Sequence, residues 1–83
     1  MHRQANRENA KVRVIAVYRM LLRGKLMTST QILSELQAHY GITADRKTIY
    51  DDVAAIDRIR PIKVIPGKRG GFILWDVMGE AKD

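Results

Sequence analysis

The stretch DRKTIYDDVAAIDRIRPIKVIPGKRGGFILW, residues 45–75, decides the fold because its hydrophobic period changes halfway along. In its first half the apolar residues recur at helical spacing. They predict one buried stripe, formed by Ile49, Val53 and Ile56. Asp45 suits the N-cap of this helix, and Pro61 stops it, because the residue before a proline is pushed out of helical geometry.

Beyond the proline the sequence predicts a two-stranded hairpin. Residues 62–65 and 72–75 are short runs rich in β-branched and aromatic side chains, as expected of strands. The connection 66–71 contains three glycines and a proline, so the chain must turn there. Phe72 and Trp75 are interpreted as the core of this hairpin.

Two further helices precede this stretch. The first runs over residues 8–23, ends at Gly24 and carries charged residues opposite its apolar face. The apolar face is predicted to be Val14, Ile15, Val17, Tyr18, Leu21 and Leu22, and the opposite face Arg13, Arg19 and Arg23. Thr28 and Gln31 have the spacing of a capping box that opens the second helix, and Gly41 ends it. Its predicted apolar face is Ile32, Leu33, Leu36 and Tyr40.

Three short helices followed by a hairpin predict a mainly α fold with a small β-hairpin, the winged helix-turn-helix. A lone hairpin is only marginally stable, and the apolar faces of the first and third helices can cover it. We expect one domain over residues 9–76, preceded by a flexible basic leader, 1–8, and followed by a C-terminal tail, 77–83.

Composition limits the classes of function. The 83 residues carry a net charge of +6, which favours a polyanionic partner. Residues 1–25 hold most of the excess positive charge, although a solvated helix face would look the same. The chain has no cysteine, and no apolar run is long enough to span a bilayer. We therefore expect a cytoplasmic, nucleoid-associated protein that contacts no membrane and needs no cofactor or metal.

The outward face of the third helix is the main candidate for a DNA contact. Its residues include long donors, a hydroxyl, an aromatic ring and the small Ala54, a set that suits insertion into a major groove. The candidate contacts are Arg46, Lys47, Thr48, Tyr50, Asp51 and Arg58. An ordinary solvated surface helix is the competing interpretation, since charged outward faces are common.

The hairpin turn and the start of the second helix supply further candidates. Lys68 and Arg69 lie at the turn between glycines that let the backbone approach another molecule, and two cations there suit phosphates or a narrow minor groove. The start of the second helix adds Thr28 and Ser29, because backbone amides at a helix N-terminus can bind a phosphate, with simple capping as the alternative. Lys25, a cation just before this helix, is added as a phosphate contact. The glycine-rich turn lacks the spacing of a nucleotide-binding Walker loop, and a strand follows it.

Residues 45–53, DRKTIYDDV, together with 67–74, GKRGGFIL, resemble the N-terminal winged helix-turn-helix of bacterial WYL-domain transcription regulators, the DeoR-like type. The likeness covers about residues 12–75. It implies that Arg46, Lys47, Thr48 and Tyr50 contact DNA from the recognition helix, and that the wing contacts are Lys68 and Arg69.

The chain departs from this family in two ways. Many relatives have arginine where Asp51 stands. The Asp51 carboxylate either accepts a hydrogen bond from a cytosine amine or forms an ion pair with Lys47 one turn earlier. We favour the ion pair. The ligand-sensing WYL domain is absent. The chain is either a stand-alone regulator or a fragment that works with a larger regulator or sensor protein.

The sequence thus predicts a sequence-specific regulator of double-stranded DNA, with helix 45–59 in the major groove and wing 66–71 on the backbone or minor groove. An architectural, excisionase-like factor of a mobile element and a protein–protein interaction module are the alternatives. We expect a homodimer, joined through the first helix or the tail, and no enzyme: His39 is interpreted as structural, and neighbouring Asp51 and Asp52 point about 100° apart on a helix.

Overall fold

The fold is the predicted winged helix-turn-helix. The computed structural model describes residues 2–76, and the side chains of residues 9–76. The helices are α1 (His2–Leu21), α2 (Ser29–Tyr40) and α3 (Arg46–Asp57), and the strands are β1 (Ile62–Ile65) and β2 (Gly71–Leu74). The strands pair antiparallel, with Val64 opposite Phe72.

Three helix boundaries differ from the prediction. Helix α1 begins at His2 and ends at Leu21, where residues 8 and 23 were predicted. Helix α3 ends at Asp57, two residues before the predicted end at 59. The predicted tail, 77–83, lies outside the described residues, so the domain limits stay a prediction. Among the described residues, no helix combines the length and the apolar character that crossing a bilayer requires.

The local motifs that define α2 and α3 are confirmed. The Thr28 hydroxyl accepts from the backbone N–H of Gln31 at 3.0 Å, and the Gln31 side chain accepts from the backbone N–H of Thr28 at 2.9 Å. Gly41 ends α2 in the left-handed region, at φ 65°. The Asp45 carboxylate caps α3 by accepting from the backbone N–H of Thr48 at 2.8 Å. These contacts satisfy backbone donors that the first turns leave unpaired.

The core lies between the three helices and the inner face of the hairpin. Helix α1 contributes Ala16, Val17, Met20 and Leu21, and the stripes of α2 and α3 contribute Ile32, Leu36, Ile49, Val53 and Ile56. Phe72 and Leu74 cover this core from β2.

Three predicted core positions on the helices are wrong. Ile15 is 61% exposed, and Leu22 and Tyr40 are also largely exposed. At 100° per residue, Ile15 and Leu22 lie roughly opposite the buried arc of α1. The second half of α1 carries apolar residues on its exposed side as well as its buried side, so its packing against α3, rather than its own periodicity, selects the face that is buried.

Trp75 is not a core residue of the hairpin. It follows the last residue of β2 and is 45% exposed. The Lys63 ammonium lies 4.8 Å from the centroid of its ring, a cation–π contact on the outer side of the sheet.

A bridge that the sequence analysis missed ties the wing to the start of α2. Phe72 donates to the Met27 carbonyl at 2.8 Å, and Met27 donates to the Phe72 carbonyl at 2.9 Å. Gly71 permits this approach, because a Cβ there would lie 2.3 Å from the Met27 carbonyl oxygen. The hairpin is therefore fastened beside the residue that caps α2, Thr28.

Candidate nucleic-acid interface

One groove joins the three elements that the sequence analysis selected. The N-terminus of α2, the first turns of α3 and the wing enclose an open cavity of about 580 Å³. The predicted contacts that line it are Thr28, Ser29, Arg46, Tyr50 and Lys68. Residues from three separate segments of the chain are thus brought to one concave surface.

Tyr50 connects α3 with the wing. Its ring meets the buried Phe72 ring edge to face, with centroids 5.5 Å apart and planes at 77°. The Tyr50 side chain is nevertheless 51% exposed, so its other side is open to the groove. An aromatic contact of this kind, about 0.5–1.5 kcal/mol, fixes the ring without removing it from solvent.

The outer face of α3 is free of packing. Lys47, Ala54 and Arg58 are exposed and lie within about 40° of one another on an ideal helix. Tyr50 and Asp51 are exposed on the two flanks of this face. The helix therefore presents a narrow strip that is basic at both ends and small in the middle.

Thr48 differs from the other predicted contacts because the fold already uses it. Its backbone N–H binds the Asp45 carboxylate, and its side chain is half-buried. This hydrogen bond is the main reason that the pKa of Asp45 lies below its ordinary value. The ionised form is also favoured by the positive end of the helix dipole.

Lys68 and Arg69 are both exposed at the tip of the wing, where Gly67 turns the chain at φ 101° and its carbonyl accepts from the N–H of Gly70 at 3.1 Å. Lys68 lines the groove and Arg69 does not.

The prediction that the wing glycines serve approach by another molecule needs correction at Gly70 and Gly71. A Cβ at Gly70 would lie 1.8 Å from the Ile65 carbonyl oxygen, so at this glycine, as at Gly71, the close neighbour is the protein's own backbone.

Ion pairs redistribute the charge predicted from the sequence. Arg13 donates to both carboxylate oxygens of the buried Asp52, at 2.5 and 3.0 Å, and does not lie on an outward face as predicted. Arg23 binds Glu35 through two hydrogen bonds of 2.8 Å. These contacts raise the pKa of both arginines and lower the pKa of Glu35.

The six candidate cations, of which Arg46 and Lys68 line the groove, are not paired in this way. Within residues 9–76, no ion pair involves the six candidate cations, which are Lys25, Arg46, Lys47, Arg58, Lys68 and Arg69. All six are exposed. The favoured pairing between Lys47 and Asp51 is also absent from the ion pairs of this region, so that prediction is wrong.

The remaining candidates for chemistry are dispersed. In the described part of the chain, no group of three histidine or acidic side chains could hold a metal ion. Asp51 is exposed and Asp52 is buried, which confirms that the two carboxylates point in different directions. His39 is exposed near the end of α2 and lies outside the groove.

Comparison with known proteins adds no relative. No family model, curated protein or solved structure matches the chain. The resemblance to WYL-domain regulators therefore stays a prediction.

Proposed function

We propose that the protein is a regulator of transcription that binds double-stranded DNA in a sequence-specific manner. The observation that carries the proposal is the convergence of α3, the wing and the N-terminus of α2 on one groove. Its lining cations, Arg46 and Lys68, form no ion pair within residues 9–76. A polyanion that lies across this surface would meet the exposed cations of α3 and the wing and the positive end of the α2 helix dipole.

The elements suit different parts of a duplex. A B-form major groove, about 12 Å wide, admits an α-helix, and the strip from Lys47 to Arg58 offers donors for guanine edges and phosphates. The exposed wing cations and the free backbone amides at Ser29 and Thr30 suit phosphates. Base contacts from α3 would supply specificity, while the wing and α2 would set the position on the backbone.

The partners and location follow from the same proposal. A single reading helix covers a short site, and DNA-binding domains of this kind gain affinity and specificity by binding two half-sites. We therefore still predict a homodimer. A larger regulator or sensor protein stays a second predicted partner. We place the protein with DNA in the cytoplasm and assign it no catalytic role.

Salt dependence of binding tests the proposal. Duplexes selected from a random pool are titrated with protein by fluorescence anisotropy at several salt concentrations. Each neutralised phosphate contributes about −0.9 to the slope of log K against log salt, so contacts by all six free cations would give about −5. Absence of duplex binding at low salt would refute the proposal.

Two double variants of the wing provide a matched pair. Lys68→Ala/Arg69→Ala should weaken binding to all sequences alike and reduce the slope by up to about 2. Lys68→Arg/Arg69→Lys keeps both charges and should keep the slope. If the alanine variant retained the salt dependence of the parent, the wing would have no place in the interface.

A further inference from the structure

Four aspartates lie on or beside α3, and the fold uses three of them. Asp45 caps the helix, Asp52 binds Arg13, and Asp57 accepts from the backbone N–H of Ile62 at 2.7 Å. Asp51 is the exception within residues 9–76, because it forms neither a hydrogen bond nor an ion pair there. Its carboxylate has no structural role that explains it.

The position of Asp51 gives its carboxylate access to the edge of a base. It is exposed on the flank of the outer face of α3, one turn after Lys47 and one turn before Ala54. Because Ala54 is small, it leaves room for a base edge to approach this flank. On the opposite flank, the Tyr50 ring packs against Phe72 of the hairpin.

A carboxylate in a major groove is unfavourable unless a base donates to it. The surrounding phosphates repel it, and the groove edges of guanine and thymine present only acceptors to it. Adenine offers the N6 amine next to the N7 acceptor, which repels the second carboxylate oxygen. Cytosine offers the N4 amine without an acceptor on the same edge.

We propose that Asp51 is a specificity-determining residue that accepts a hydrogen bond from the N4 amine of a cytosine in the operator. This rests on the proposed function, and it names one base that the DNA site must contain. Asp51 would lower the affinity for duplexes that place a hydrogen-bond acceptor at that position, as well as raise the affinity for those that place cytosine there.

The experiment compares the sequences selected from random duplex DNA by the parent and by three variants. The parent should select cytosine at one position by roughly five- to 150-fold over the other bases. Asp51→Asn should shift that position towards adenine, which an amide recognises through N6 and N7. Asp51→Ala should leave the position without preference.

The third variant, Asp57→Asn, is the matched control. It removes one negative charge from the same helix and keeps an oxygen that can accept from Ile62. It should retain the cytosine preference of the parent. If Asp57→Asn and Asp51→Ala changed the selected sequences equally, general electrostatics would explain the effect and the inference would fall.

A base analogue tests the contact itself. In the selected duplex the cytosine is replaced by 2-pyrimidinone, which lacks the N4 amine. The parent should lose at least about fivefold in affinity relative to its cytosine duplex. The analogue also weakens the base pair, which affects both proteins. Asp51→Ala should show only this second, smaller loss. Equal losses would overturn the assignment.

These outcomes separate the two proposals. A parent that binds no duplex refutes the DNA-binding function as a whole. A parent that selects a defined sequence with the same base preferences as Asp51→Asn and Asp51→Ala refutes only the role of Asp51. Circular dichroism of each variant checks the fold, which the exposed position of Asp51 should leave intact.

Discussion

Replacing Arg13 with methionine should destabilise the domain strongly, because it leaves the Asp52 carboxylate buried without its partner. The Asp52 side chain is only 5% exposed and the Arg13 side chain 20% exposed, and two hydrogen bonds join them. Removing one partner of a buried pair costs about 3–5 kcal/mol. Since the guanidinium keeps some contact with water, we expect about 3 kcal/mol. A domain of 83 residues has roughly 4–12 kcal/mol in total, so much of its stability would be lost.

The assay is urea denaturation followed by far-ultraviolet circular dichroism. The matched control is the double variant Arg13→Met/Asp52→Leu, which removes both charges and should lie within about 1 kcal/mol of the parent or above it. An Arg13→Met variant that unfolds within about 1 kcal/mol of the parent would refute the reasoning, because the carboxylate would then not depend on this arginine. A double variant less stable than Arg13→Met would refute it as well.

The remaining predictions concern the wing and the cap of α3. Gly71→Ala should lower both the melting temperature and the affinity for DNA, because its Cβ would collide with the Met27 carbonyl oxygen and open the bridge between Met27 and Phe72. Thermal unfolding and fluorescence anisotropy measure the two effects. An unchanged melting temperature would contradict this prediction. The lowered pKa of Asp45 means that its ionised form stabilises the fold above its ordinary pKa, near pH 4, and that this contribution is lost as the pH falls through the folded value. Asp45→Asn keeps an acceptor for the cap, so the melting temperatures of parent and variant should differ at neutral pH and converge at low pH; a constant difference would count against it.

Features that depend on neighbouring residues could be predicted from the sequence. The capping box at Thr28, the cap at Asp45 and the end of α2 at Gly41 each involve residues within about one helical turn, and all three are confirmed. The change of period after α3 placed both strands to within one residue. These motifs succeed because their partners are close in the sequence and their geometry is local.

Features that depend on distant partners could not be predicted. The buried face of α1 is selected by α3 and the hairpin, so Ile15 and Leu22 were assigned to the core and Arg13 to the surface. The bridge between Met27 and Phe72 joins residues 45 positions apart, and a single apolar residue before Thr28 gives no signal of a strand. Most of the candidate DNA contacts could be named because they belong to two contiguous motifs, and their contact with DNA stays a prediction.

The free charge of the molecule is decided by which ions pair across the fold. Along the sequence, the excess positive charge lies in residues 1–25, while residues 26–83 hold eight positive and eight negative side chains. In the structure, Arg13 and Arg23 neutralise acids of α3 and α2, and within residues 9–76 Arg46, Lys47, Lys68 and Arg69 form no ion pair. The arginines of the first segment therefore raise the net positive charge around the groove without touching it. If the proposed function holds, Arg13→Met should weaken DNA binding through charge as well as stability, since Asp52 would then lie uncompensated in α3, the helix proposed to enter the major groove. Binding measured well below the melting temperature of that variant, with Arg13→Met/Asp52→Leu restoring the affinity, would separate the electrostatic effect from the loss of folded protein.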